Sequence, residues 1–171
     1  RGCRIHPITF ESPPYTGPDA REKIVDLCRQ LARWTGPLRL RVVRFTEAQL
    51  EIQRRCPARL AVVLYRRLMF RVAEAAAERA HAQTLATGES VGQVASQTLE
   101  NLRAIGDVVR RPVLRPLITF DKFETIELAQ RIGTYDISIR PHVDCCSLFV
   151  PDHPETKAKL DKVEEAEAAL E

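Results

Sequence analysis

Two adjacent cysteines, Cys145 and Cys146, follow an aspartate in the polar stretch Asp144-Cys145-Cys146-Ser147. Neighbouring cysteines rarely bond each other, because the ring so formed strains the peptide bond. A thiol in a polar loop suits persulfide or nucleophilic chemistry instead. Arg140 and His142 lie just upstream and would lower the pKa of a thiol they approached. Metal ligation by His142 and Cys145 would require two further ligands from elsewhere. Cys28, on an apolar helix face, reads as a buried inert thiol, as do Cys3 and Cys56.

Three other segments carry residues suited to a ligand. In Thr87-Gly88-Glu89-Ser90 and on to Thr98, a short strand runs into a glycine and then a polar helix start. Gly88 permits close approach to the backbone. The amides of a helix start suit a phosphate or a nucleobase carbonyl. Gln93, Ser96 and Gln97 do little for a core there; the plain alternative is an ordinary capped helix. Thr9-Phe10-Glu11-Ser12-Pro13-Pro14 reads as a tight turn whose backbone can hold a flat ring against Phe10. Arg115 and Lys122 flank a strand end and can face phosphates, or Asp121 caps the next helix and Lys122 is solvated. Arg54, Arg55, Arg66, Arg67 and Arg71 form a basic cluster able to meet phosphates of RNA or ATP.

These residues need elements to position them. Arg4 to Phe10 reads as a strand weakened by Pro7. Asp19 caps a helix through Trp34, with Ile24, Leu27, Cys28 and Leu31 on one face and Gly36-Pro37 as its stop. Leu38 to Phe45 reads as a strand, and Thr46 with Gln49 as a capping box. A long helix spans Pro57 to His81. Thr84 to Thr87 is a strand, and Gly92 to Ile105 a helix that puts Gln93 and Gln97 on one face. Val113 to Ile118 is a strand interrupted by Pro116, and Asp121 to Ile132 a helix closed by Gly133. Val143 to Val150 is irregular, and Pro154 to Glu171 an acidic amphipathic helix. Four strand–helix alternations predict an α/β fold with a mostly parallel sheet, whose ligands bind beyond the strands' carboxyl ends. The expected organisation is one domain over residues 1–150 and a helical extension over 151–171.

Composition sets the outer bounds. The 171 residues are 44% hydrophobic and 29% charged, enough for a globular core. No apolar run approaches the ~20 residues of a membrane span, and no secretory signal is visible. Aromatics are only 6% of the chain, which argues against a recognition sheet of stacked rings. Residues 1–79 carry 16 Lys and Arg against 8 Asp and Glu; residues 151–171 carry 3 against 7. A basic first half suits a polyanion or is a solvated face. Five cysteines, an odd count without any CxxC, fit a reducing, cytoplasmic setting rather than a disulfide framework or zinc site.

Long motifs then become specific. TGESVGQVASQTLENL, RPLITFDKFETIELAQRIGTYDISIRP, DCCSLFVP with PETK, the FESPPYT loop and YRRLMFRVAE together closely resemble the catalytic domain of the tRNA 4-thiouridine sulfurtransferases, the ThiI family. The resemblance covers nearly the whole chain. It implies a Rossmann-like PP-loop (adenine-nucleotide alpha hydrolase) domain with helices flanking a parallel sheet. It implies adenylation of the uridine at tRNA position 8 by ATP with Mg2+, then replacement of AMP by a persulfide sulfur to give 4-thiouridine. Many members also supply sulfur for the thiazole of thiamine through a sulfur-carrier protein, and take the persulfide from a cysteine desulfurase. Members commonly form homodimers.

Matched motif by motif, the resemblance places the nucleotide against Thr9, Phe10, Arg66, Gly88 and Gln97. Relatives often have histidine where this chain has Thr9, so a backbone contact is the one carried over there. Lys122 corresponds to the DK lysine, a charge stabiliser for the phosphates. Cys145 corresponds to the sulfur-transfer cysteine, with Cys146 beside it as the alternative. No metal-ligating side chain is implied. The family's S-G-G-x-D-S pyrophosphate loop does not occur in the chain. The expectation is therefore a domain without its first strand and loop, inactive by itself. Two other readings remain at this point. One is a different PP-loop ligase, which would need no thiol. The other is a non-enzymatic RNA- or partner-binding module, which would not need ATP.

Overall fold

A computed structural model describes residues 2–170, with the side chain of Cys146 outside the described residues. The chain forms two compact units, Arg1–Thr46 with Asp121–Leu148, and Glu47–Phe120 with Phe149–Glu171.

In the first unit, β1 (Ile8–Glu11) pairs in parallel with β2 (Arg41–Arg44), with Thr9 opposite Val42 and Phe10 opposite Val43. β1 starts after Pro7, which has no N–H for a ladder, although its carbonyl still accepts from the Arg41 amide at 2.9 Å. The crossover is α1 (Pro18–Thr35). Its cap is Gly17 rather than Asp19, because Pro18 at the first helical position has φ preset for the helix. Gly36 ends it at φ 79°, its amide donating to Ala32 O. α5 (Lys122–Arg131) opens on a reciprocal capping box, in which Asp121 accepts from the Glu124 amide and Glu124 from the Asp121 amide. A short helix, α6 (Tyr135–Ser138), follows.

The second unit holds the apolar core. α2 (Thr46–Arg55) leads through a 3-10 turn, Ala58–Leu60, into α3 (Ala61–Arg79). Ile52, Val63, Leu64, Tyr65, Phe70, Leu102, Ile105 and Val163 are all buried. β3 (Leu85–Ala86) pairs in parallel with β4 (Val113–Leu114), which Pro112 and Pro116 bracket and keep short. Parallel pairing with helical crossovers is therefore as expected, but it falls into two two-stranded sheets.

Two expected helices start late, for identifiable reasons. At Gly92 φ is +80°, and its amide turns back to Gln97 O, so residues 92–97 form a turn and a 3-10 segment. α4 begins only at Leu99 (Leu99–Gly106), where the Thr98 side chain caps the Asn101 amide. Gln93 and Gln97 therefore share no helical face. In the tail, α7 runs Leu160–Glu167 rather than from Pro154. The preceding residues have other partners. Glu155 N donates to Arg59 O, Ala158 N donates to Asn101 Oδ1, and Asn101 Nδ2 donates to Glu155 O. Among the described residues no helix is long and apolar enough to cross a membrane.

Arg67 lies on α3 with its side chain only 2% exposed. It pairs with Glu167 of α7 at 2.7 Å and donates to Ala104 O at 2.5 Å; Arg71 reaches the same carboxylate at 2.8 Å. Burial pushes the Glu167 carboxyl up, but the hydrogen bonds from Arg67 and Arg71 outweigh it and hold the pKa below its ordinary value. A depressed carboxyl stabilises the fold above its unfolded pKa and loses that contribution as pH falls through the folded one. The expected result is an unfolding midpoint that drops steeply below about pH 4.5. In Glu167→Gln the drop should be shallower, with stability near neutrality reduced by about 3 kcal/mol. Urea unfolding across pH checks both; equal slopes in the two proteins would refute the assignment.

Candidate functional site

In the first unit β1 ends at Glu11, and the chain turns through Ser12 to Gly17 into α1. The turn is held from within: Ser12 N donates to Thr16 Oγ1 at 2.9 Å, Thr16 N to Ser12 O, and Thr46 Oγ1 to Pro13 O at 2.7 Å. Glu11 is clamped by Arg21 of α1, whose Nε donates at 2.9 Å. Beyond this strand end lies a cleft of about 100 Å³. Thr9 and Phe10 line it from the strand, and His142, Asp144 and Cys145 from the loop after α6. The Phe10 ring meets Phe45 edge-on, with centroids 5.3 Å apart.

Cys145 is 6% exposed and starts a 3-10 turn, Cys145–Ser147. Ser147 closes the turn by donating to Asp144 O from both its amide, at 3.1 Å, and its hydroxyl, at 2.8 Å. The proposed role of Cys146 concerns a side chain outside the described residues. The Arg140 guanidinium bonds Asp26 of α1 at 2.5 Å. Lys23 lies beside the same loop. It is 7% exposed, donates from Nζ to Arg140 O at 3.1 Å, and lies 3.1 Å from His142 Nδ1. Burial pulls its pKa down and Arg140 adds to this, against an opposing pull from Asp144. The sequence reading missed Lys23. The signal was its place on the apolar stripe of α1, beside Ile24 and four residues before Leu27.

In the second unit, Arg66, Gly88 and Gln97 gather around residues 87–90. Glu89, 2% exposed, accepts from Arg66, from Arg115 Nε at 2.6 Å, and from Thr87 Oγ1 at 2.9 Å. Gln97 Oε1 accepts the Ser90 amide at 3.3 Å, and Ser90 Oγ donates to Phe120 O at 2.6 Å. Arg66 keeps one buried nitrogen, Nε, without a partner. At Gly88 an added Cβ would meet nothing nearer than Leu117 Cδ1 at 4.0 Å. Glycine there is not required by the fold. Arg115 faces Glu89 rather than open solvent.

The other sequence candidates divide. Lys122 is exposed at the first turn of α5. In the five-arginine cluster Arg66 and Arg67 are withdrawn from solvent, whereas Arg54, Arg55 and Arg71 stay exposed although each has a carboxylate partner. Arg54 and Arg55 pair with Glu51, Arg66 with Glu89, and Arg67 and Arg71 with Glu167. Cys3 is exposed rather than buried. Burial raises the pKa of the Cys28 and Cys56 thiols, consistent with inert groups. Among the described residues no group of three His, Cys, Asp or Glu is placed to hold a metal ion.

Parallel strands with helical crossovers and a cleft beyond a strand's carboxyl end define a Rossmann-like α/β protein. The chain belongs to the ThiI family: residues 1–171 match the family described as "Thiamine biosynthesis protein (ThiI)". It is similar to the probable tRNA sulfurtransferase of Caldanaerobacter subterraneus subsp. tengcongensis, at 53% identity over 171 residues, 100% of this chain and 45% of that protein. It is similar also to the probable tRNA sulfurtransferase of Moorella thermoacetica, at 54% identity over 170 residues, 99% of this chain and 44% of that protein. A solved structure, that of a 4-thiouridine synthetase–RNA complex with bound ATP, superposes with a TM-score of 0.94 at 48% identity. The match covers 99% of this chain and 45% of that one. The chain thus spans about half the length of the curated relatives it matches.

Glu89→Gln would leave two arginines short of a carboxylate in a buried place. It is expected to lower stability by about 3 kcal/mol, measured as a reduced urea midpoint. An unchanged midpoint would show that the pairs are not holding the segment.

Proposed function

We propose that the protein carrying this chain is an ATP-dependent tRNA sulfurtransferase that converts uridine at tRNA position 8 to 4-thiouridine. One observation carries the reading: Thr9 and Phe10, assigned to the nucleotide, line the same cleft as Cys145, assigned to sulfur. In the second unit, the orphaned Arg66 Nε supports a nucleotide contact there, beside Gly88, whose bare backbone a ligand could approach closely. Gln97 sits against the same segment. Lys122 supports phosphate binding because a cation at the positive end of α5 does nothing for the helix. Residues 1–150 supply the PP-loop domain's share of these groups, and 151–171 a helical extension.

The chemistry is balanced. Uracil O4 attacks the α-phosphate of ATP and pyrophosphate leaves, which turns a poor leaving oxygen into AMP. The terminal sulfur of a cysteine persulfide attacks C4, AMP departs with that oxygen, and the base is held through a disulfide. A second thiol attacks the enzyme sulfur of that disulfide, releasing 4-thiouridine and leaving a protein disulfide for a dithiol reductant to reopen. A cysteine desulfurase supplies the persulfide, and the same sulfur can pass to a thiamine sulfur carrier. Mg2+ would accompany the ATP, held mainly by its phosphates and water, and would offset phosphate charge. The setting is cytoplasmic and the assembly a homodimer.

Two variants of the full-length protein test the reading. Cys145→Ser should retain tRNA-dependent pyrophosphate release while 4-thiouridine in tRNA nucleosides falls below detection. If thiolation persists both there and in Cys146→Ser, a thiol-independent ligase is favoured and the proposal fails. Gly88→Ala should leave the unfolding midpoint within about 0.5 kcal/mol of the parent, since a Cβ fits. It should nevertheless weaken ATP binding in a titration; unchanged affinity would remove Gly88 from the nucleotide site.

A further inference from the structure

We infer that Lys23 is a positioning residue for the sulfur-transfer step, acting by tying the loop that carries Cys145 to α1. The inference rests on the reading that Cys145 handles sulfur.

A lysine ammonium is expensive to bury and rarely stays buried without partners. Here Nζ is buried against two residues of one loop, Arg140 through its carbonyl and His142 through Nδ1. With Lys23 donating, Nδ1 accepts and the ring proton of His142 belongs on Nε2. The charged groups around the ammonium are Asp144 and Arg140 on the loop; Asp26, three residues further along α1, is engaged by Arg140 and Arg29. The next residues after this anchorage are Val143, Asp144 and Cys145. From there the Ser147 bonds to Asp144 O fix the turn that leaves the thiol lining the cleft.

A purely structural purpose explains this poorly. An apolar side chain of similar length would fill the same space without the desolvation cost of an ammonium. What the ammonium adds is a fixed reach from a regular helix to an otherwise irregular loop. Displacing a reacting atom by about 1 Å can cost about 100-fold in rate. Nucleotide activation draws on Thr9 and Phe10, which β1 positions, so the two half-reactions depend on different supports.

The test uses full-length Lys23→Met, Lys23→Arg and His142→Ala, with tRNA and a persulfide donor. His142 is exposed, so its replacement does not endanger folding. In Lys23→Met, thiouridine formation should fall about 100-fold while ATP-dependent pyrophosphate release stays within about twofold. Lys23→Arg, which can still donate to Arg140 O, should recover part of the loss. His142→Ala should show the same split more weakly. Loss of both half-reactions together with a lowered unfolding temperature would reduce Lys23 to a fold residue and overturn the inference. So would full thiolation in Lys23→Met or His142→Ala alongside an inactive Cys145→Ser. If Cys145→Ser itself thiolates normally, the assignment of sulfur to Cys145 fails first; thiolation in Cys146→Ser as well fails the sulfurtransferase reading, so the failures are told apart by these two controls.

Discussion

A carboxylate shut away from water must find its hydrogen bonds within the protein, and Glu89 is the clearest case. Held by Arg66, Arg115 and Thr87, it joins α3, the strand end after β3 and the chain after β4 at one point. The segment around it has little apolar reason to keep its shape, because Gly88, Ser90, Ser96 and Gln97 are small or polar. Its form is imposed by the carboxylate and by bonds that tie Ser90 to Gln97 and to Phe120. A Cβ at Gly88 would make no closer contact than 4.0 Å, to Leu117 Cδ1, so packing does not dictate the glycine there.

The first unit follows a different rule. Its buried residues among those described are mostly polar, including Ser12, Thr16, Lys23, Thr46 and Thr134, with Phe45 and Cys145 the apolar members. Such an interior is held by directional bonds rather than by volume. That suits a place where a strand end, a helix start and a thiol-bearing loop must hold fixed positions around a cleft. The second unit, built on Ile52, Leu64, Tyr65, Phe70 and Ile105, carries the greater share of apolar burial.

Much of this was legible in the sequence because it is local. Periodicity gave α1, Asp121 marked the start of α5 as its cap, and the strand–helix alternation gave parallel pairing. The motifs also drew attention to Thr9, Phe10, Gly88 and Cys145. What escaped depends on partners far apart in the chain. Lys23 meets residues 117 and 119 positions away, and Arg67 meets one 100 positions away. Before those partners are known, Lys23 does not stand out and Arg67 reads as one member of a basic cluster. The late starts of α4 and α7 have the same origin. Gly92 adopts a positive φ, and Asn101 captures backbone groups of residues 155 and 158 that a longer helix would have used.

The burial of Cys145 also bears on access. A thiol at 6% exposure is screened from dissolved oxidants, and over-oxidation follows accessibility. The same screen stands in the way of a sulfur donor that is itself a protein. The sulfur meets solvent along the cleft that Thr9, Phe10, His142 and Asp144 line with it.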